Sequence, residues 1–129
     1  MFTRYPKIKA PCSNVNLFIN ISGEIDSNLV SGDYPIYAIN ANNSGVGYLQ
    51  SYKQVIDFRT KYREVLDKIR KDHGESVIVH LYPATPNPIS FEIGRAIKKN
   101  LDPTIILYDK TSKEFEYKEV MHLHDRIRL

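Results

Sequence analysis

A chain of 129 residues, 42% hydrophobic and 26% charged, suits one globular domain with a single core and excludes disordered and fibrous classes. Its net charge of +3 permits an anionic partner without supplying the dense basic face of a duplex-DNA binder. Cys12 is the only cysteine, so no internal disulfide forms, and no apolar run is long enough for a signal peptide or a membrane span; a cytoplasmic protein is expected.

Residues 1–14 carry two prolines and little periodicity, and read as a lead-in arm before a single domain over 15–129. Val15, Leu17, Ile19 and Ile21 alternate with Asn16, Phe18, Asn20 and Ser22, the period-two pattern of a strand, which Gly23 ends. Residues 34–40 predict a second strand; Pro35 near its start implies an edge position or a late beginning. Asn42, Asn43, Ser44, Gly45 and Gly47 make an open loop. A long helix follows, with Ser51 and Gln54 as a capping box and Val55, Phe58, Tyr62, Val65, Leu66 and Ile69 as its apolar stripe. Its solvent face offers Asp57–Lys61, Glu64–Lys68 and Asp67–Lys71 as acid-to-base pairs one turn apart, and Gly74 stops it.

Residues 77–81 are continuously apolar and β-branched, as a strand buried on both faces should be. A second helix begins near Asn87 as cap, with Pro88 at its first position, where a missing donor costs nothing. Ile89, Ile93, Ala96 and Ile97 form its buried stripe, and Asn100 with Asp102-Pro103 ends it. Residues 104–108 are another buried strand, 109–112 a turn, and 115–123 a returning antiparallel strand. The order β-β-α-β-α-β-β gives an α/β fold: a Rossmann-like, mostly parallel sheet with two main helices and a C-terminal antiparallel strand.

The turn Tyr82-Pro83-Ala84-Thr85-Pro86-Asn87-Pro88 leaves a central strand at its carboxyl end and opens a helix. Backbone amides of Ile89, Ser90 and Phe91 are the unpaired donors expected there, suited to an anion, and Tyr82 would offer an aromatic face to a base. A tight connection with ordinary capping explains the same residues. Ser22-Gly23-Glu24, ending the first strand, would lie beside it if the strands are parallel neighbours. Gly23 would permit close backbone approach, Ser22 can donate to phosphate or sugar, and Glu24 can accept from a ribose hydroxyl, although a plain surface turn also fits. Gly45-Val46-Gly47 lacks a phosphate lysine. His80 reads as a satisfied core histidine, His122 and His124 lack a third metal ligand, and no triad or carboxylate pair is evident. No cofactor is implied, and the reading is a binding module rather than an enzyme.

The run His80-Leu81-Tyr82-Pro83-Ala84-Thr85-Pro86-Asn87-Pro88-Ile89, then Glu92-Ile93-Gly94-Arg95-Ala96, then Ile106-Leu107-Tyr108-Asp109, resembles the C-terminal, CARF-like half of a SAVED domain. Leu17-Phe18-Ile19-Asn20-Ile21-Ser22-Gly23 resembles that family's first strand and turn, and Phe58, Tyr62-Arg63 and Ile69 its long helix. The resemblance implies a sensor of cyclic oligonucleotides in bacterial antiphage defence. It places ligand contacts on Ser22, Gly23, Glu24, Tyr82, Pro83, Ala84, Thr85, Asn87, Ile89 and Ser90, with Gly94 packing on the sheet and Arg95 as a further contact. Family members usually carry two such halves and an effector. A single half is either a piece of a longer protein or a unit that assembles with a second copy or a larger effector protein, with Tyr82, Tyr34 and Tyr48 as aromatic interface surface. Two alternatives stand beside this reading: metal-independent cleavage of the cyclic ligand, involving Ser22, Thr85 and Arg95, and a ligand-free assembly subunit. Neither a membrane nor duplex DNA is an expected partner.

Overall fold

The computed structural model describes residues 1–30, 32–42, 52–110 and 117–126. The Ser51 cap, the loop at 43–47, Tyr48, Thr111 and Ser112 of the expected turn, and Phe115 lie outside the described residues. Strand β1 (Phe2–Arg4) is followed by β2 (Asn14–Asn20), a 3-10 turn (Ser27–Leu29), β3 (Ile36–Asn40), helix α1 (Tyr52–His73), β4 (Ile78–Ala84), helix α2 (Asn87–Arg95), β5 (Thr104–Lys110) and β6 (Tyr117–His124). They form one six-stranded sheet in the order β1-β3-β2-β4-β5-β6. The inner pairs β3/β2, β2/β4 and β4/β5 are parallel, and the outer pairs β1/β3 and β5/β6 are antiparallel. The fold is α/β with a mostly parallel sheet, as the alternation of patterns predicts.

Alternate strand residues divide the interior in two. Val15, Leu17, Ile19, Tyr37, Ile39, Val79, Leu81 and Ile105 meet the α1 stripe of Phe58, Tyr62, Val65, Leu66 and Ile69 and the α2 residues Ile89 and Ile93. Both helices therefore cover the same face. On the other face Phe18, Ala38, Tyr82, Ile106 and Tyr108 pack with Ile25 and Val30 from the β2–β3 connection. Chain direction explains the division: successive right-handed crossovers β3→β4→β5 advance one way across the sheet, whereas β2→β3 runs the other way and must pass over the opposite face.

Several elements differ from the sequence-based expectation. The lead-in contains β1, three residues with too short a pattern to register, held by pairing Phe2, Thr3 and Arg4 with Asn40, Ile39 and Ala38. That pairing takes β3 off the sheet edge; Pro35 delays its start instead, its carbonyl accepting from Asn16 N–H at 2.8 Å. Strand β4 runs on through Tyr82, Pro83 and Ala84, which are not part of the turn. Pro83 is tolerated because it lies beyond Leu81↔Leu107, the last β4–β5 pair, so its missing donor interrupts no ladder. Asp109 and Lys110 likewise belong to β5, pairing with Lys118 and Tyr117.

Helix α2 stops at Arg95, short of Ile97. The Arg63 guanidinium accounts for the early end: it donates to the Ala96 carbonyl at 2.8 Å and, through both terminal nitrogens, to the buried Asp102 carboxylate at 2.6 and 2.9 Å. Asp102 in turn accepts from Lys98 N–H at 2.8 Å, closing the loop that follows. The expected pairs along α1 are replaced by Arg63–Asp67, Arg70–Asp67 and Lys68–Asp72, while Asp57 meets the Met1 ammonium. Gly74 ends α1 as expected, with φ +87° and its N–H on the Arg70 carbonyl at 2.8 Å.

Candidate ligand-binding rim

The reversal of direction at β2 creates a topological switch point between the carboxyl ends of β2 and β4, the place where open α/β sheets take their ligands. There the chain after β2 and the chain after β4 leave toward opposite faces. Ile21 and Ser22 both donate their N–H to the Ala84 carbonyl, at 3.0 and 2.8 Å, so Ser22-Gly23-Glu24 adjoins the turn that opens α2. Ser22 and Gly23 are half-buried and Glu24 is exposed. A Cβ added at Gly23 would meet nothing within 4 Å, so the space beside it is open. Across the switch point, the Thr85 and Ser90 hydroxyls lie 2.7 Å apart, and Ser90 Oγ also donates to the Pro86 carbonyl at 3.3 Å.

The start of α2 departs from the expected anion grip. Pro86, not Asn87, is the cap residue, and no side chain caps the helix. Ile89 and Ser90 each donate their amide to the Pro86 carbonyl, at 3.0 and 3.1 Å, and Phe91 sits a residue further into the helix. These three amides are engaged within the helix, leaving that of Asn87 as the first-turn donor without a partner among the described residues. The Ile89 side chain is core. Tyr82 offers no aromatic platform either: it is fully buried, with the rings of Tyr108, Tyr117 and Phe18 at 4.6, 5.3 and 5.6 Å. Pro83 and Ala84 are strand residues framing the rim. Tyr34 is half-buried and stacks on His80 at 5.2 Å.

Arg95 stands at the far end of α2, about 12 Å along the axis from Asn87 at roughly 1.5 Å per residue. Its guanidinium meets Glu92 at 3.1 Å, and Arg59 grips the same carboxylate with two bonds of 3.0 Å. These hydrogen bonds, that from Arg59 foremost, hold the Glu92 carboxyl below its ordinary pKa against the effect of burial. Gly94 faces solvent, not the sheet, since an added Cβ would meet nothing within 4 Å. Tyr52 in the first turn of α1 and Phe91 in α2 are exposed aromatics. Helical spacing from Ile89 and Ile93 already places Phe91 on the outer side of α2.

His80 is satisfied at both ring nitrogens. Asn14 Oδ1 accepts from Nε2 at 2.9 Å, which puts the proton there, so Nδ1 accepts from Tyr108 Oη at 2.8 Å. Burial holds its pKa below the ordinary histidine value. His122 is paired with Asp125 at 2.8 Å and Glu119 at 3.1 Å, and among the described residues no three His, Cys, Asp or Glu side chains group to hold a metal.

Sequence reasoning also missed a cleft of about 220 Å³ on the outer flank of the rim, lined by Phe2, Arg4, Asn20, Glu24, Asn40 and Asn42. Its floor is polar: Asn20 Nδ2 donates to Asn40 Oδ1 at 2.8 Å, and Asn20 Oδ1 accepts from Ile25 N–H at 2.8 Å. Only the β1–β3 pairing brings the N-terminal Phe2 and Arg4 here, and no local pattern announces that pairing.

An open α/β sheet whose strand order reverses at a central strand places its ligand crevice at that switch point, outside the carboxyl ends of the strands. Residues 3–123 match the family described as "SMODS-associated and fused to various effectors sensor domain", SAVED, and the chain belongs to that family. Three solved structures of the Acinetobacter baumannii Cap4 SAVED/CARF-domain containing receptor share its fold. One matches with a TM-score of 0.72 at 12% identity over 95% of this chain. The receptor with 3′3′3′-cAAA gives 0.68 at 13% identity over 89% of this chain, and that with 2′3′3′-cAAA gives 0.67 at 14% over 94%. The chain spans 26%, 26% and 28% of those receptors' lengths. Among curated proteins no sequence matches.

Proposed function

We propose that the chain is a sensor module that binds a cyclic oligonucleotide second messenger in antiphage defence, and signals by assembling with a second copy or a larger effector protein. The observation that carries this is the switch point itself, where Ser22-Gly23-Glu24 and Thr85-Pro86-Asn87 flank one opening at the carboxyl ends of β2 and β4. Membership of a sensor-domain family and the likeness to receptors solved with cyclic trinucleotides support the same ligand class. In this reading the Ser22 hydroxyl and the Asn87 amide donate to phosphate or sugar oxygens, the Thr85 and Ser90 oxygens accept from sugar hydroxyls, and Gly23 lets the ligand lie against the backbone. Because the chain is about a quarter of the receptors' length, a further surface is expected to complete the enclosure of the ring.

Isothermal titration with cyclic di-, tri- and tetranucleotides tests the proposal, with absence of heat for every member at high protein concentration as the defeating result. Gly23→Val sharpens it. The added Cβ enters open space, so the fold is expected to stand, yet the branched side chain occupies the ligand's approach; affinity should fall about tenfold or more, roughly the loss of one good contact.

A further inference from the structure

The arginines among the described residues divide sharply by partner. Arg59, Arg63, Arg70, Arg95 and Arg126 each hold a carboxylate, of Glu92, Asp102, Asp67, Glu92 and Glu75 respectively. Arg4 lines the flanking cleft, and no hydrogen bond or ion pair engages it among the described residues. Glu24 lines the same cleft and is equally uncommitted there. Two opposite charges facing one cavity without closing on each other leave both for a guest that carries an anion and a donor edge.

Cavity size narrows the guest. Pockets that enclose a whole drug-sized ligand run to roughly 300–1,000 Å³, and at about 220 Å³ this one takes a single planar fragment. Phe2, two-fifths exposed, gives that fragment an apolar aromatic wall. Asn20 is fixed by its bonds to Asn40 and Ile25, so the floor is preorganised rather than collapsible.

We infer that this cleft is a base-recognition subsite for one nucleotide of the ring: the base lies against Phe2, its exocyclic amino group donates to Glu24, and the adjoining phosphate is held by Arg4. The inference rests on the proposed cyclic-oligonucleotide function and adds to it a preference for amino-bearing bases. Since Glu24 belongs to the turn at the switch point, the subsite is continuous with the rim, and a ring seated there reaches it with one base. A carboxylate rejects a carbonyl at the position where it accepts an amino group, so discrimination follows from charge as well as from a lost bond.

Titration calorimetry with 3′3′3′-linked cyclic triadenylate and the corresponding tri-inosinate, which bears a carbonyl oxygen in place of each amino group, provides the test. Arg4→Ala should weaken both ligands about tenfold or more, the scale of one charge-assisted contact, and Arg4→Lys should recover part of the loss. Glu24→Ala should weaken the adenylate ring about tenfold and erase its advantage over the inosinate ring. Neither side chain has a partner to lose among the described residues, so both variants should keep the wild-type melting midpoint, which controls for folding. Wild-type binding that survives either alanine substitution unchanged overturns the subsite and leaves the function standing. A wild-type chain that binds no cyclic oligonucleotide overturns the function itself, and the subsite with it.

Discussion

On the helical face of the sheet, aliphatic strand residues meet two helices, and Arg59, Arg63 and Arg95 spend their guanidinium groups on Glu92 and Asp102. The opposite face is built from rings. Phe18, Tyr82, Tyr108 and Tyr117 pack on one another, Tyr34 stacks on His80, and the described cover is the β2–β3 connection through Ile25 and Val30. The cleft with Phe2, Arg4, Asn20 and Asn40 opens on this thinner side, since Arg4 pairs with Ala38 and Phe2 with Asn40, both of its parity. One layer is locked by satisfied charges; the other keeps charges in reserve at its rim. Separation of this kind lets a binding edge vary without endangering the core.

The largest expected break lies on the locked side. Asp102 is 1% exposed and relies on Arg63, so Arg63→Ala should cost about 3–5 kcal/mol in urea denaturation, because it strands a buried carboxylate. A loss under about 1 kcal/mol, the range of exposed ion pairs, would show that water replaces the guanidinium and that the layer is less closed than described.

Acid comes next and probes both faces. Burial depresses the pKa of His73, where Nδ1 accepts from Cys12 N–H at 2.8 Å, and of His80, although Asp72 and Glu119 pull the other way. For a histidine with a lowered folded pKa, the unfolded chain binds protons that the native state does not, between that pKa and the ordinary 6.5. Stability contributed by the neutral rings is thus present above 6.5 and lost as pH falls below it. Exposed His122, raised chiefly by its hydrogen bond to Asp125, works in the opposite sense. The measurement is therefore a difference: melting midpoints of wild type and His73→Gln between pH 7.5 and 5.5, with the variant losing less on acidification. Parallel curves would remove His73 from the account.

The smallest effect has the opposite sign. Gly94 is exposed within α2 and a methyl group there touches nothing, so Gly94→Ala should stabilise by up to about 1 kcal/mol through helix propensity. Destabilisation instead would mean that α2 is under strain that its hydrogen bonds do not reveal.

Legibility in the sequence tracks how local each signal is. The stripe from Phe58 to Ile69, Gly74 as a stop, and the buried strand around Val79 and Leu81 depend on near neighbours and read correctly. Adjacency of the Ser22 and Thr85 turns follows once parallel order is assumed. What escaped depends on distant partners: β1 needs β3, the early end of α2 needs Arg63 of another helix, and burial of Tyr82 needs Phe18, Tyr108 and Tyr117 around it. The proline in β4 misled for a related reason, because a missing donor matters only where a neighbouring strand is present to accept.

The last strand carries one more consequence. Pairing of β6 with β5 shifts register twice within eight residues, between Ile105 and Ile106 and between Leu107 and Tyr108. Such irregularities bend an edge and break the even row of unpaired backbone groups that invites sheet-to-sheet growth. Although Val120 and Met121 lie half open to water, an edge so interrupted is a poor template for fibril-like stacking.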